Sequence, residues 1–377
     1  MPSPDTALVS TLLEASIQSL DISPAQFELA VRRYEDLAQW LVDRGIGDPD
    51  VYPQGSFRLG TVLRPTLDLG FDIDLVFLRY LAKTSTTQEE LRAQAKELLL
   101  AYIAERGATN GNPTLEEKGR CWTLVYSDDS FHMDVLPVIP DPEGAADAIL
   151  LSDRDLRDWQ HSNPIGYADW FWSVMDDSVE ARRTALAETL GRDVEQVPRW
   201  LVRTTLQRVV QLLKLHRDLF FANADHDGPP SILITTLAAR SYGGDQDLYT
   251  AFRKVAMSLG NHIEIRGDQW WIPNPAHKEE NFADKWNSNP DRKEQFDGWV
   301  SQVVNDAEGW DQPAGIHTAT RALAGAFGEA PVQQGAVKVA ASFAAATASG
   351  KLGVTSTGRV TTKTAVRPVR PHDFHGD

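Results

Sequence analysis

The sequence has a single cysteine, comparatively few basic residues and no long apolar run. With Cys121 alone, the chain has no intramolecular disulfide and no metal site built from several thiolates, which fits a reducing compartment. No stretch approaches the roughly 20 apolar residues that span a bilayer. The N-terminus also lacks the basic and apolar regions of a signal peptide. We therefore expect a cytoplasmic protein that does not associate with membranes.

Positive charge is scarce, with 37 Lys and Arg against 53 Asp and Glu and a formal net charge of −16. Proteins that bind long nucleic acid usually present a basic surface, so this balance argues against such a substrate. It is easier to reconcile with a small substrate whose charge is neutralised by bound metal. The 377 residues, 42% of them apolar and 11 of them Trp, indicate a soluble chain of two or three structural units with an aromatic-rich core.

The period of the apolar residues predicts helices, then mixed helices and strands, then helices again. The predicted elements before residue 150 are helices at 6–20, 24–43 and 88–104 and strands at 71–78, 120–126 and 131–139. Those after it are helices at 198–221, 231–242, 246–259, 279–287 and 291–307, and an Ala-rich helical segment at 316–348. This order indicates an α+β fold with a small mixed sheet in its first half.

Three aspartates in two of the predicted strands carry the strongest chemical signal. Alternate side chains of a strand share a face, so Asp72 and Asp74 project together while Ile73 faces the core. Two carboxylates held so close repel each other, and a divalent cation such as Mg²⁺ resolves the conflict. Asp134 would supply the carboxylate that positions a second ion, as in two-metal sites for in-line displacement. The alternative is that Asp72 and Asp74 are solvated residues of an edge strand.

A short polar turn precedes the first of these strands. Glycine at Gly55 lets the backbone approach a phosphate closely, and the N–H groups and hydroxyl of Ser56 can donate to it. An Asp-x-Asp or a Gly-Ser pair is common by itself. Their conjunction, followed by a single Asp in a second apolar strand, predicts a site for nucleotidyl or phosphoryl transfer with a triphosphate donor.

The segments GSFRLGT (55–61), FDIDLVF (71–77) and FHMDVLP (131–137) resemble the polymerase-β-like nucleotidyltransferases. Within that superfamily the chain is similar to the CD-NTases, the bacterial relatives of cyclic GMP-AMP synthase found in CBASS anti-phage systems. The resemblance continues through LQRVVQLLKLHRD (206–218), SILITTLAA (231–239), WQHSNPIGYADWF (159–171) and ENFADKW (280–286), and it covers residues 10–310. The 15 residues between Ser56 and Asp72 include an extra loop, Pro65 to Gly70, that fits this bacterial branch.

The resemblance implies a polymerase-β-like mixed sheet and a helical C-terminal half, with the nucleotide cleft between the two lobes. It also implies two Mg²⁺ ions, for which Mn²⁺ can substitute. The metal ligands and catalytic residues it assigns are Asp72, Asp74 and Asp134, and the residues it assigns to the nucleotide are Gln54, Gly55, Ser56, Lys214 and Ser231.

Lys214 and Ser231 would reach the terminal phosphates from the helical half. The predicted helix supports Lys214, because it lies on the polar face together with Gln207 and Gln211. The alternative is an ordinary solvated helix face. For Ser231, which follows Pro230, the alternative is an N-cap.

Other candidate residues have structural explanations. Cys121 and the aromatic cluster around Trp170 are expected in the core, and Asn274 either stabilises a turn or contacts the base or ribose. Zinc spacing is not evident among the histidines considered, which are His161, His216, His226, His262 and His277.

The predicted organisation has four regions. The catalytic core with its N-terminal helices covers 1–150, and the helical domain that completes the cleft covers 151–312. An Ala-rich helical segment follows at 313–348, and residues 349–377, rich in Gly, Thr and Pro, form a flexible basic tail.

The function that the resemblance implies is synthesis of a cyclic di- or trinucleotide messenger from ATP, alone or with another NTP, in anti-phage signalling. Its expected regulatory partner is a ubiquitin-transfer-like protein acting on the C-terminus, or a HORMA protein. A second hypothesis keeps the nucleotidyl transfer but makes an RNA, a protein or a small molecule the acceptor. A third is a non-catalytic nucleotide sensor, which the presence of the three Asp residues and Gly55-Ser56 disfavours.

Overall fold

The computed structural model describes residues 4–44, 47–64, 70–129, 131–152, 159–190, 202–224, 228–310 and 315–349, and three short strands after residue 352. Residues 65–69 of the predicted extra loop, residues 198–201 of the strongest predicted helix and most of the predicted tail lie outside these ranges. In the described part of the chain, none of the helices combines the length and apolarity that crossing a bilayer requires.

Seven strands of the described chain form one mixed sheet, in the order β1-β2-β5-β4-β3, with β6 beside β5 and β7 beside β6. The strands are β1 (Asp50–Gln54), β2 (Phe71–Leu78), β3 (Thr114–Glu117), β4 (Trp122–Tyr126), β5 (Phe131–Pro140), β6 (Ile149–Leu151) and β7 (Gln160–Ser162). β2 and β5 are parallel, whereas the other neighbours are antiparallel. The three predicted strands are thus confirmed, and two of them are the central parallel pair.

Helices pack on this sheet and also form most of the second half of the protein. The helices are α1 (Pro4–Gln18), α2 (Pro24–Arg44), α3 (Gly55–Leu59), α4 (Gln88–Arg106), α5 (Pro164–Ser173), α6 (Asp176–Leu190), α7 (Thr205–Phe220), α8 (Ser231–Ser241), α9 (Leu248–Ser258), α10 (Asp284–Ser288), α11 (Asp291–Gly309), α12 (Ile316–Phe327) and α13 (Glu329–Ala348). Two hairpins complete the helical half, β8 (Glu264–Arg266) with β9 (Gln269–Trp271) and β10 (Pro273–Asn274) with β11 (His277–Asn281).

Two large apolar cores hold these layers together. One core packs α2 and α4 against the sheet, with Leu37 and Leu99 on the helices and Ile73 and Met133 on the central strands, all at most 1% exposed. The other core lies among α5, α7, α8, α9, α11 and α12, and it also takes in the apolar face of α1. The predicted α+β fold with a helical C-terminal half is therefore confirmed.

Two helix predictions need correction. The described part of the strongest helix begins at Thr205, because the Thr204 hydroxyl accepts the Gln207 N–H at 3.2 Å in a capping box. The helix predicted at 279–287 is wrong over residues 279–283, because the first three belong to β11 and α10 begins only at Asp284. There the Asn281 side chain binds the backbone of Ile272 and Trp270 across the hairpin, and only α10 is helical.

The Ala-rich segment is helical as predicted, but it is divided at Gly328. This glycine has a φ of +85°, a conformation that ends α12 and lets α13 fold back against it. In the tail, the described residues form three two-residue strands, β12 (Gly353–Val354), β13 (Val360–Thr361) and β14 (Arg367–Pro368), with β12 between the other two. The predicted flexibility of the tail stays a prediction.

Candidate active site

The central parallel strands bring two of the predicted aspartates side by side. In the register of β2 and β5, Asp74 is paired with Asp134 and Asp72 with His132. Ile73 and Met133, one residue along each strand, are fully buried on the other face of the sheet. All three carboxylates thus lie on one face of the same strand pair, as the alternation predicts for Asp72 and Asp74. The alternative of a solvated edge strand is wrong, because β2 and β5 both lie inside the sheet.

The Gly55 turn lies directly over Asp74. Gln54 ends β1 opposite Asp74, and Gly55 then turns the chain into α3 with a φ of +61°. A β-carbon built on Gly55 would lie 2.1 Å from Oδ2 of Asp74. Only glycine therefore fits this position without moving the carboxylate, both for its backbone conformation and for the space it leaves.

Cationic and hydroxyl groups already surround Asp134. The Lys118 ammonium lies 3.2 Å from its Oδ1, and the Thr123 hydroxyl donates to the same oxygen. Asp72 is more exposed, with Nδ1 of His132 at 3.4 Å from its Oδ1. Sequence reasoning missed Lys118 and Thr123, because only the pairing of β3 and β4 beside β5 brings them to the aspartates.

The electrostatics of the site show a shortage of positive charge. Burial, with the nearby charges of Asp134 and Asp72, raises the pKa of Asp74 to about 7. A carboxylate with this environment holds a proton at neutral pH unless a cation joins it. Burial, with the nearby Arg217 guanidinium, lowers the pKa of Lys214 to about 8, although Asp74 and Asp72 oppose that change.

The polar face of α7 docks on the segment that follows the glycine turn. Gln207 and Gln211 are fully buried, and their side-chain amides donate to the carbonyls of Leu59 and Val62 at 2.8 and 2.9 Å. The Lys214 ammonium donates to the carbonyl of Thr61 at 3.2 Å. The solvated helix face considered for Lys214 is therefore wrong. This face instead joins the helical half to the Gly55 turn, since the Thr61 N–H in turn bonds Ser56.

Ser231 lies at the start of α8, the helix that follows α7 in the chain. It is the first residue of α8, the N-cap is Pro230, and the Ser231 hydroxyl accepts from the Arg217 guanidinium at 3.1 Å. The N-cap alternative is thus wrong, while its contact with phosphate stays a prediction. Its neighbours Pro230 and Ile232 line the cleft described next.

A cleft of about 890 Å³ opens between the two halves, at the upper end of the volumes usual for small-molecule sites. The sheet side contributes Gln54, Gly55, Asp74 and Asp134. From the helical half and the hairpins come aromatic and amide side chains, including Trp271, Asn274, Phe282, Trp286 and Asn287. The lining carries charges of both signs, with basic side chains at Arg58, Arg120, Lys285 and Arg292 and acidic ones at Asp74, Asp134, Glu279, Glu280 and Asp284.

Two other residues set aside at the sequence level also lie at this cleft. Asn274 is 1% exposed, and its side chain both closes the turn to the Ala276 N–H and donates to Glu280. Burial raises the pKa of Glu280 to about 7, although the Asn274 bond opposes this change. Cys121 is buried beside the cleft, immediately before β4.

The histidines prove less dispersed than their spacing suggests, because His161 and His277 meet at Asp141.

Comparison with known proteins finds a family that matches the part of the chain that carries the three aspartates. Residues 49–138 match the family described as "Cyclic GMP-AMP synthase DncV-like, nucleotidyltransferase domain". The c-di-GMP synthase of Roseivirga ehrenbergii is 28% identical over 384 aligned residues, which cover 99% of this chain and 98% of that protein.

Two solved structures share the fold at low sequence identity. The CD-NTase CdnG of Bradyrhizobium diazoefficiens, solved in complex with GTP, has a TM-score of 0.69 and 22% identity over 89% of this chain and 98% of that one. CdnC of E. coli MS115-1, solved in a CdnC:HORMA-deltaN complex, has a TM-score of 0.60 and 15% identity over 84% and 96%. With the matched domain, the full-length relative and this shared fold, the resemblance drawn from the three aspartate and glycine segments is confirmed. The chain is thus similar to the CD-NTases over nearly its whole length, and residues 49–138 match their nucleotidyltransferase domain.

Proposed function

We propose that this protein is a metal-dependent synthase that joins two nucleoside triphosphates into a cyclic dinucleotide, with GTP as at least one substrate. The observation that carries the proposal is the convergence of Gly55, Asp74 and Asp134 on a single large cleft, with Gly55 packed against the Asp74 carboxylate. The reaction forms two phosphodiester bonds and releases two pyrophosphates for each ring.

The aspartates fit divalent cations such as Mg²⁺. Their donor set is entirely oxygen, which suits Mg²⁺ or Mn²⁺. The raised pKa of Asp74 and the ammonium of Lys118 on Asp134 both indicate that the three carboxylates need added positive charge. When bound, such ions would lower the energy of the charge that develops on the phosphates during transfer. We propose Asp72, Asp74 and Asp134 as their ligands.

The remaining roles concern how the chain holds the donor nucleotide. Gln54, Gly55 and Ser56 lie at the end of β1 and the start of α3. The first N–H groups of a helix have no partner within the helix, so we propose that those of α3 bind phosphate oxygens. The Lys214 ammonium donates to the carbonyl of Thr61, and the N–H of Thr61 donates to the carbonyl of Ser56. We propose that its ammonium orients the terminal phosphates, and that Ser231 assists from the start of α8.

The relatives favour guanine over the adenine expected from the sequence. The full-length relative is named for c-di-GMP, and a structural neighbour was solved with GTP. The cleft volume of about 890 Å³ supports two nucleotides bound at once. A single site can close the ring if the linear intermediate rebinds with its ends exchanged.

We also propose that the product is a signal in anti-phage defence and that a partner protein regulates the enzyme. The neighbour bound to a HORMA protein supports a HORMA partner. The alternative partner, a ubiquitin-transfer-like protein acting on the C-terminus, rests on the composition of residues 349–377, which are rich in Gly, Thr and Pro.

Incubation with radiolabelled NTPs and Mg²⁺, without any added acceptor, tests the proposal. The wild-type protein should convert GTP into small products that resist phosphatase, whereas Asp72→Asn with Asp74→Asn should release no pyrophosphate while remaining folded. Labelled product that appears only when RNA, protein or a small acceptor is added would favour the second hypothesis. Tight NTP binding without turnover, in Mg²⁺ or Mn²⁺ and with plausible partners, would favour the non-catalytic sensor.

A further inference from the structure

A buried carboxylate and two imidazoles meet beside the cleft, apart from the three catalytic aspartates. Asp141 directly follows β5, His161 lies in β7, and His277 begins β11. Nδ1 of His161 lies 2.6 Å from Oδ2 of Asp141, and Nε2 of His277 lies 3.8 Å from the same oxygen. The two rings are adjacent, with centroids 5.4 Å apart. Three separate elements thus converge on one point.

We propose that Asp141, His161 and His277 form a second cation site, which binds a transition metal such as Zn²⁺. A tetrahedral ion about 2.0–2.1 Å from each ligand atom separates those atoms by about 3.3 Å. The distances of 2.6 and 3.8 Å lie on either side of that value, and one potential ligand atom from each residue lies within 4.8 Å of the other two. Small rotations of the His161 and His277 side chains would therefore bring the ligand atoms to the distances of a tetrahedral site.

The burial of this cluster argues against a purely structural hydrogen bond. The Asp141 side chain is 1% exposed and that of His277 is 10% exposed. A bond from His161 to Asp141 accounts for two of the three residues, but 3.8 Å is too long for a bond from His277. Nδ1 of His277 also finds no hydrogen-bond partner among the described residues. Buried polar atoms are normally satisfied, so hydrogen bonding at Nδ1 does not explain the position of this ring, which an ion bound at its other nitrogen, Nε2, would hold in place.

The donor set separates this site from the aspartates. Two imidazoles and one carboxylate suit Zn²⁺ and neighbouring transition metals, whereas Mg²⁺ prefers an entirely oxygen shell. Asp141 lies seven positions after Asp134 along the direction of β5, about 23 Å away in an extended chain. Three protein ligands leave a fourth position for water or for a group in the cleft, which His161 itself lines.

The position of the site gives the ion a defined structural effect. It would connect β7 of the sheet with the β10–β11 hairpin, whose Asn274 and Glu280 line the cleft. Binding should therefore stabilise the folded protein in proportion to the Zn²⁺ concentration, since only the folded chain brings the three ligands together.

Calorimetric titration of Zn²⁺ into metal-free full-length protein tests this inference. Saturating Mg²⁺ and the Asp72→Asn, Asp74→Asn background remove binding at the aspartates. One Zn²⁺ should bind per chain, and His161→Gln and His277→Gln should each weaken binding by about 100-fold or more. His317→Gln, which changes an exposed histidine outside the cluster, should bind Zn²⁺ as the background protein does.

A thermal melt of each variant accompanies the titration. Zn²⁺ should raise the melting temperature of the background protein but not that of His161→Gln. The side chain of His161 is 38% exposed, so its replacement is tolerated even if His277→Gln fails to fold. The inference is overturned if every folded His161→Gln or His277→Gln variant retains its Zn²⁺ affinity within twofold of the background protein. It is also overturned if Zn²⁺ neither binds the background protein nor shifts its melting temperature. Neither outcome bears on nucleotide transfer, which the aspartate variants test separately.

Discussion

Replacement of Gly55 by alanine isolates the contact on which the proposed site depends. Two effects are expected, one on the backbone and one on Asp74. The φ of +61° at Gly55 costs an alanine roughly 1–2 kcal/mol of folding stability. The added β-carbon would also lie 2.1 Å from Oδ2 of Asp74, so the carboxylate must move by more than 1 Å to reach ordinary contact.

The displaced group is the one proposed to bind metal. The β-carbon would also lie 3.0 Å from Cγ and 3.3 Å from Cβ of Asp74, which limits simple rotation of the side chain. A misplacement of about 1 Å at a reacting centre can cost on the order of 100-fold in rate. We therefore expect Gly55→Ala to reduce kcat by about 100-fold, with weaker metal binding and a small loss of stability.

Gly267 provides a matched control. It has the same φ of +61°, but a β-carbon there meets nothing within 4 Å. Gly267→Ala should lose a similar amount of stability, measured by denaturant unfolding, and keep its rate of pyrophosphate release. Equal activity losses in the two variants, or a Gly55→Ala enzyme within threefold of wild type, would refute the argument from the Gly55–Asp74 contact.

Two further outcomes follow from the shifted pKa values. Because the pKa of Asp74 is raised to about 7, its proton favours the folded state at low pH, and that stability is lost as pH rises through 7. Asp74→Asn should thus melt at a higher temperature than wild type in EDTA at pH 8, with the difference shrinking towards pH 4.5; an equal difference at both pH values would contradict this. Because the pKa of Lys214 is lowered to about 8, kcat/KM for NTP should fall above pH 8 in wild type. Lys214→Met should have a lower kcat/KM without that alkaline decline, and identical pH profiles would remove Lys214 from phosphate binding.

The sequence was most informative where local pattern and chemistry coincide. The alternation of Asp72, Ile73 and Asp74 predicts both the strand and the shared face, because a strand repeats every two residues. The sequence predicts that Gly55 lets the backbone approach a phosphate, whereas in the structure a β-carbon at Gly55 would meet the Asp74 side chain. That contact depends on the register of β1 and β2, which no spacing along the chain reveals.

The features that escaped prediction are those made by tertiary contact. Lys118 reaches Asp134 only because β3 and β4 fold beside β5, and His161 meets His277 only where β7 approaches β11. The amphipathic pattern of α7 placed Gln207 and Gln211 on a polar face, but could not distinguish solvent from buried carbonyls as their partners. The helix prediction fails at residues 279–281 because hairpin pairing outweighs the helical periodicity of a short segment.

Mass spectrometry of the products made from GTP, alone and mixed with ATP, tests the central claim most directly. With Mg²⁺, the wild-type protein should give a cyclic dinucleotide that lacks terminal phosphates, and two pyrophosphates should be released for each ring. Asp134→Asn should give neither product. Only linear or acceptor-linked nucleotides from the wild-type protein, or undiminished ring synthesis by Asp134→Asn, would contradict the account.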